Sequence, residues 1–320
     1  MSDQAPLVSI PEAPVPPGGT AEWFRGADGA TLRAAFFLPR GKPRGSVVLS
    51  GGRTEPIEKY LEVVHELIDR RFAVVVHDWR GQGLSARALA DRLKGHAAGY
   101  SPFVEDYRAL LDHFEARLPK PWIALSHSMG GCLTLLALAQ DEWQRFAGAI
   151  LSAPMLGLNT NGRGKRSARA LAWLMSRLGR AGEYVLGDPG LPFGDGFESN
   201  VLTHDRARYE RNVAILRANE DLALGSPTWG WLEFAFTAIG WLKTAPEVTQ
   251  IGIPVWALGA EHEKLVDNAD QILVMARVPQ GRWLEVPGSY HEILQETDEV
   301  RAFFWREFDA LADVVKNDYK

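Results

Sequence analysis

The stretch WIALSHSMGGCLTLLALAQ, residues 122–140, limits most sharply what this chain can fold into. Trp122 to Leu125 form a short apolar run, whereas Leu133, Leu136, Ala137 and Gln140 recur at helical spacing. The side-chain period therefore changes from about 2 to about 3.6 across Ser126 to Gly130. A strand that becomes a helix within about one residue forces the corner residue, Ser128, into a strained backbone conformation. Its neighbours two positions away must be small. Ser126 and Gly130 meet that need, and Gly131 behind them lets the helix lie close to the strand.

A serine on such a corner suits acyl transfer. Its oxygen is held at the sheet's edge, at the positive end of a helix, with free backbone amides beside it, one of them that of Met129. The pattern is that of the Gly-x-Ser-x-Gly nucleophile elbow of α/β-hydrolases, with Ser126 in place of the first glycine.

At 320 residues and 46% hydrophobic content, the chain is long enough for one large α/β core plus an insertion. Its net charge of −5 provides no face-long excess of Lys and Arg to neutralise phosphates, which argues against a nucleic-acid binder. Cys132, the single cysteine, is expected to pack inside and cannot form an internal disulfide. No Cys/His cluster has zinc-ligand spacing, so neither a metal nor an organic cofactor is expected, and the cytosol is the expected compartment. The N-terminal MSDQAPLVSIPEAPVPPGG lacks the basic and apolar regions of a secretory signal, and its prolines suggest an extended, solvated arm. No window approaches roughly 18 uncharged apolar residues, so any membrane contact is expected to be peripheral.

Residues 21–38 read as two short strands around the turn Ala27-Asp28-Gly29, a hairpin at an antiparallel edge. Ser46–Ser50 reads as a buried strand, followed by Gly51-Gly52-Arg53, a helix through Tyr60, Leu61, Val64 and Leu67, and another buried strand at Phe72–His77. Strand, helix, strand implies a right-handed parallel crossover. Its repetition through a helix near 103–118 and the strand before Ser128 gives a mostly parallel, doubly wound α/β sheet. Pro154 stops a further strand at Ala147–Ser152, and no strand pattern follows until about Pro246. Residues 154–246 therefore read as an inserted helical cap, splitting the core into 21–153 and 247–320 behind an arm at 1–20. Within the cap, Leu171, Leu174, Met175 and Leu178 share one helix face with Arg166, Arg169 and Arg177 among the polar positions, and residues 187–196 form a loop. The crowded Trp229, Trp231, Phe234, Phe236 and Trp241 read either as core or as the wall of an acyl pocket, with Trp229, Trp231 and Phe234 as candidate substrate-binding residues. Strands at Pro254–Leu258 and Arg282–Val286, a helix near 268–277 and a terminal helix from 298 complete the core.

A serine nucleophile needs a base within hydrogen-bond reach and a carboxylate to orient it. After the penultimate strand comes Gly-Ala-Glu-His-Glu-Lys-Leu-Val-Asp-Asn, and after the last comes Gly-Ser-Tyr-His-Glu, giving the chain order serine, acid, histidine. Both loops lie at the carboxyl ends of strands, on the edge that carries Ser128. His291 is the candidate base, because it follows the last strand and Gly288-Ser289 permits a sharp approach. Glu261, Glu263 and Asp267 compete as the acid.

SHSMGG, HDWRGQGLS at 77–85, GRTEPIEKY at 52–60, NVLTHDRARYERN at 200–212, AEHEKLVDN and GSYHEIL together resemble bacterial lysophospholipases of the α/β-hydrolase superfamily. They are similar to monoacylglycerol lipases too, over about residues 20–312, and NVLTHDRARYERN looks more like the lysophospholipase branch. The resemblance implies Ser128 as nucleophile, His291 as base and Glu263 as acid, since the family's acid precedes a hydrophobic pair and Asp-Asn, as Glu263 precedes Leu265-Val266-Asp267-Asn268. It also implies an oxyanion hole from the backbone amides of Met129 and Arg53, with Gly51-Gly52 where relatives often carry His-Gly. The turn Asp78–Gly83 is expected to be structural, the alternative being that Arg80 forms a charge pair within it.

The implied activity is cleavage of the single acyl ester of a lysophospholipid through an acyl-enzyme. Monoacylglycerol or small esters are the near alternatives, and a non-catalytic scaffold that binds a hydrophobic ligand is the contrasting class. In the cap, Arg163, Arg166 and Arg169 either attract a phosphate or an anionic membrane surface, or only solvate their helix.

Overall fold

The computed structural model describes residues 4–318, apart from 141, 161, 163, 186–189 and 195. Strands β1 (Gln4–Ala5), β2 (Thr20–Arg25), β3 (Thr31–Phe37), β4 (Gly45–Ser50), β5 (Phe72–His77), β6 (Trp122–His127), β7 (Gly148–Ser152), β8 (Val255–Ala260) and β9 (Gly281–Val286) form one sheet, in the order β1-β2-β3-β5-β4-β6-β7-β8-β9. From β5 to β9 every neighbouring pair is parallel, whereas β1, β2 and β3 are antiparallel. This is the α/β-hydrolase fold. Register aligns the carboxyl ends: Ser50 lies beside both His77 and Ser126, and His127 beside Ser152.

The central strands are apolar on both faces because both are covered. In β4, Val48 joins the core layer beneath α2 (Ser101–Phe114) and α3 (Met129–Ala139), while Val47 and Leu49 join the layer beneath α1 (Leu61–Asp69) and α8 (Asp298–Asp318). All of α3 is buried, so the corner ahead of it is anchored on a rigid element. Between β7 and β8 the described residues add no strand to the sheet and form α4 (Lys165–Arg177), α5 (Arg206–Ala218), α6 (Trp229–Thr244) and short turns. Helix α7 (Asn268–Met275) separates β8 from β9.

One expectation needs correction, and two points left open by the sequence are decided. The N-terminal arm is not solvated throughout: β1 pairs with β2 and becomes the sheet edge in place of the hairpin, and Ala5 and Ala13 are buried. The reason is Arg33, wholly buried, which donates to the Pro6 carbonyl at 2.9 Å and pairs with Glu58 and Asp78 at 2.8 and 2.7 Å. Arg80 does not pair within its own turn but reaches outward to Asp106 of α2 at 2.5 Å and to Asp28 at 2.9 Å. Finally, the apolar face of α4 points outward, leaving Leu171, Trp173, Leu174 and Leu178 at 47, 52, 46 and 63% exposure, while Ala172 is buried against Trp229 and Phe236. Of the loop expected at 187–196, residues 187–189 and 195 lie outside the described residues, as does Arg163. Among the described residues no helix is long and apolar enough to cross a membrane.

Candidate active site

Ser128 occupies the corner between β6 and α3 with φ 49° and ψ −116°. A non-glycine residue there costs about 1–3 kcal/mol and persists only when its surroundings hold it. Here the Ser128 amide donates to the Ser152 carbonyl at 3.0 Å, and the Ser128 carbonyl accepts from Met155 at 2.9 Å and Cys132 at 3.1 Å. Gly130 cannot be larger, because a Cβ there would run into the Ser50 and Gly51 carbonyls, and one on Gly131 would lie 2.8 Å from Pro154. Ser126 fits in place of a glycine because its hydroxyl pairs with that of Thr134 in α3, at 2.7 Å.

The β8–α7 and post-β9 loops bring two more groups to this corner. His291 Nε2 lies 2.9 Å from Ser128 Oγ, and His291 Nδ1 lies 2.7 Å from Glu263 Oε2. A carboxylate facing Nδ1 fixes the proton on that nitrogen, which leaves Nε2 as acceptor for the serine hydroxyl. The other Glu263 oxygen accepts from the amides of Lys264, Leu265 and Val266 at 2.9, 2.8 and 3.2 Å. Burial pushes the Glu263 pKa up, but the His291 bond, the His291 charge and these amides outweigh it and hold the carboxyl below its ordinary value. The competing acids face elsewhere: Glu261 accepts from Gly288 N–H at 2.6 Å, and Asp267 caps α7 and pairs with Lys165.

Across from the corner, no hydrogen bond to another described residue engages the backbone N–H of Met129 or Arg53. The loop carrying Arg53 is wedged in place, since a Cβ on Gly52 would lie 2.8 Å from Glu55, 3.0 Å from His127 and 3.1 Å from Ser128 Cβ. Glu55 accepts from Gly52 N–H, from Tyr60 Oη at 2.5 Å and from Lys59 Nζ at 2.8 Å, and Lys59 also binds Glu292 at 2.5 Å. Lys59 thus ties the Gly52–Arg53 loop to the residue beside His291. Burial raises the Glu55 pKa, but the Lys59 charge and the hydrogen bonds from Lys59 and Tyr60 overcome it and hold it at about 2. His127, 4.8 Å ring to ring from His291, is brought down to about 4 mainly by burial and stays neutral. The sequence reading assigned Glu55, Lys59 and Glu292 no role; the available signal was acidic and basic residues clustered in GRTEPIEKY, directly after a buried strand.

A cavity of about 540 Å³ opens on Ser128 and His291 and is walled by Met155, Leu158, Trp231, Leu232, Phe236 and Val266. Of the three aromatic candidates, Trp231 alone lines it. Trp229 packs on Ala172 and Phe236, and Phe234 stacks on Phe103 at 5.2 Å in the main core; Phe236, a member of the same aromatic cluster, lines the cavity, as does Leu232, which carries no role in the sequence reading. Arg166 and Arg169 lie away from this mouth, in a shallow groove with Trp173 and Glu233. Among the described residues no three His, Cys, Asp or Glu side chains are grouped as a metal site requires.

The chain matches the family described as serine aminopeptidase, S33, over residues 41–298, and it belongs to that family of α/β-hydrolases. It is similar to lysophospholipase L2 of Escherichia coli strain K12, 32% identical with 87% of this chain and 83% of the relative covered. It is also similar to the human monoglyceride lipase, 26% identical with 86% and 84% covered. Among solved structures, a soluble variant of monoglyceride lipase from Saccharomyces cerevisiae, in complex with a substrate analog, superposes with a TM-score of 0.72 at 19% identity, covering 92% of this chain and 96% of the other. The protein is a serine hydrolase of the lysophospholipase and monoglyceride lipase group, a carboxylic ester hydrolase.

Proposed function

We propose that the protein hydrolyses the single acyl ester of lysophospholipids, with Ser128 as nucleophile, His291 as base and Glu263 as the acid that orients it. The observation that carries this reading is the apolar cavity opening directly on the Ser128–His291–Glu263 line. Ser128 Oγ attacks the ester carbonyl carbon while its proton passes to His291 Nε2. The oxygen that gains charge lies against the Met129 and Arg53 amides, which are pre-oriented and cost no reorganisation. Collapse expels the glycerol-linked alcohol, which takes the proton from His291 and leaves an acyl-enzyme. Water, deprotonated by His291, then releases the fatty acid. Each buried methylene of the acyl chain contributes about 0.8 kcal/mol, which favours long monoacyl substrates over short esters. Monoacylglycerol is the second reading, supported by the similarity to monoglyceride lipases.

Residues 154–246 act in this reading as a cap between substrate and solvent. The outward Leu171, Trp173, Leu174 and Leu178, with Arg166, Arg169 and Arg177 on the same helix, suit the surface of an anionic bilayer, from which single-chain lipids are taken.

The test is a panel of lysophosphatidylcholine, lysophosphatidylethanolamine, monoacylglycerol and nitrophenyl acetate, run with Ser128→Ala. The variant should lose turnover by up to about 10⁶-fold, as in other serine triads, together with labelling by a fluorophosphonate. Labelling that survives Ser128→Ala, or equal kcat/KM for acetate and long-chain esters, would sink the reading.

A further inference from the structure

Beside the cavity that holds Ser128 lies a second one of about 300 Å³, and Arg53, Thr54, Leu202, Pro227 and Glu292 line both. Arg53 therefore stands where the two meet. Its guanidinium is clamped in a fixed place: it donates to the Gly225 carbonyl, lies 5.4 Å from the Trp231 ring, and fills the space above Gly95, where a Cβ would approach it to 2.8 Å. Yet among the described residues it has no carboxylate partner, and its Nε, shielded from water, has no hydrogen-bond acceptor. Burial alone brings its pKa down to about 10, so it remains a cation at neutral pH. A desolvated cation without a counter-ion is unfavourable. Other buried or half-buried arginines answer carboxylates, Arg33 with Glu58 and Asp78, and Arg208 and Arg301 with Glu62; Arg87 resembles Arg53 in meeting only backbone carbonyls, but four of them share its guanidinium and it does not line either cavity. In the same second cavity Asn212 Oδ1 is a buried acceptor without a donor among the described residues, so two polar groups there lack partners among them.

Resting on the lysophospholipid reading above, we propose that the Arg53 side chain is the substrate's phosphate receptor and that the second cavity houses the head group. The backbone and side chain of one residue would then serve both sides of the scissile ester: the amide faces the carbonyl oxygen that gains charge, and the guanidinium, a side chain's length away, meets the phosphate of the leaving alcohol, separated from that ester by a short glycerol spacer. Guanidinium is suited to this because its planar fork matches phosphate oxygens and it stacks on aromatic faces such as Trp231. The arrangement distinguishes a phosphate-bearing lysolipid from a monoacylglycerol of equal chain length, which offers no anion to Arg53.

The test measures binding without turnover. Ser128→Ala protein, with and without Arg53→Met or Arg53→Lys, is titrated calorimetrically with an ether-linked alkyl lysophosphocholine, the matching ether-linked alkylglycerol, and inorganic phosphate. Loss of charge-assisted hydrogen bonds should weaken the lysophosphocholine by about 10- to 100-fold in Arg53→Met and less in Arg53→Lys. The alkylglycerol should change far less, and inorganic phosphate should bind weakly. Equal weakening of both ether lipids would overturn the proposal and leave Arg53 as a clamp for Trp231 and Gly225. Phosphate binding as tightly as the lipid would overturn the head-group assignment. Failure of the enzyme with intact Ser128 to cleave any lysophospholipid would instead refute the reading on which this rests, whatever the binding data show.

Discussion

Replacing Glu263 by Gln tests the proposed acid with a change of one atom. The backbone amides of Lys264, Leu265 and Val266 all donate to Glu263 Oε1, so in the amide the carbonyl oxygen must stay with them. The new NH₂ then takes the place of Oε2, 2.7 Å from His291 Nδ1. Two donors cannot share that line. The ring proton moves to Nε2, which faces Ser128 and can no longer accept its proton. The corresponding change in an unrelated serine triad costs about 10⁴-fold in kcat, or roughly 5.5 kcal/mol at about 1.36 kcal/mol per tenfold. The assay is kcat on a soluble nitrophenyl ester, with thermal melting to establish that each variant is folded. Glu261→Gln and Asp267→Asn serve as controls, because neither carboxylate reaches His291. Activity of Glu263→Gln within about tenfold of the parent, against the loss taken from other triads, would refute the tautomer argument; so would a larger loss in Asp267→Asn.

Trp231→Ala should lower kcat/KM for a long-chain lysophospholipid much more than for nitrophenyl acetate, because Trp231 lines the Ser128 cavity. Phe234→Ala, in the main core, should instead cost about 3–5 kcal/mol of stability on denaturant unfolding and affect both substrates alike. Gly52→Ala should reduce kcat by about 10²–10³-fold by displacing the Arg53 amide, and a full-rate variant would mean that the amide takes no part. Acid should unfold the protein steeply. Burial pushes the Glu55 and Glu62 pKa values up, but their cationic partners overcome it and hold both at about 2. Depressed folded values mean stability that is present above the unfolded carboxylate value of about 4.3 and lost as pH falls toward about 2. Denaturant unfolding free energy that stays flat across that interval would contradict these assignments.

The strands and the Ser128 corner were legible because each strand is an apolar run and the period changes abruptly at the corner: β5 runs from Phe72 to His77 as the sequence suggests, and α3 begins at Met129. What escaped is set by contacts between distant segments. Two residues, Gln4 and Ala5, are too few to show a strand period, and contacts with distant residues, the buried Arg33 on Pro6 and Glu58 on Val8, hold the proline-rich lead. The face of α4 is apolar in the sequence, but periodicity cannot say whether that face turns inward. Ala172 is small enough to sit against Trp229 and Phe236, which leaves the leucines on the other side. Three acids in one loop were equivalent by spacing, and the distance from His291 separates them. Likewise Trp229 and Trp231, two positions apart, part company because helix α6 turns them to different neighbours.

The docked lead has a practical consequence for anyone who produces or re-engineers this protein. Residues rich in proline look disposable and are commonly trimmed or replaced by a tag. Here Pro6 and Val8 contact Arg33 and Glu58 at 2.9 and 3.1 Å, and Glu58 adjoins Lys59, the cation joining the Gly52 loop to the His291 loop. Cutting before residue 9 removes the acceptor of a buried guanidinium and bares a β2 edge that an unrelated chain could pair with. Loss of solubility and altered turnover would then arise together from a deletion far from Ser128 in sequence, and a fusion is better placed at the other terminus.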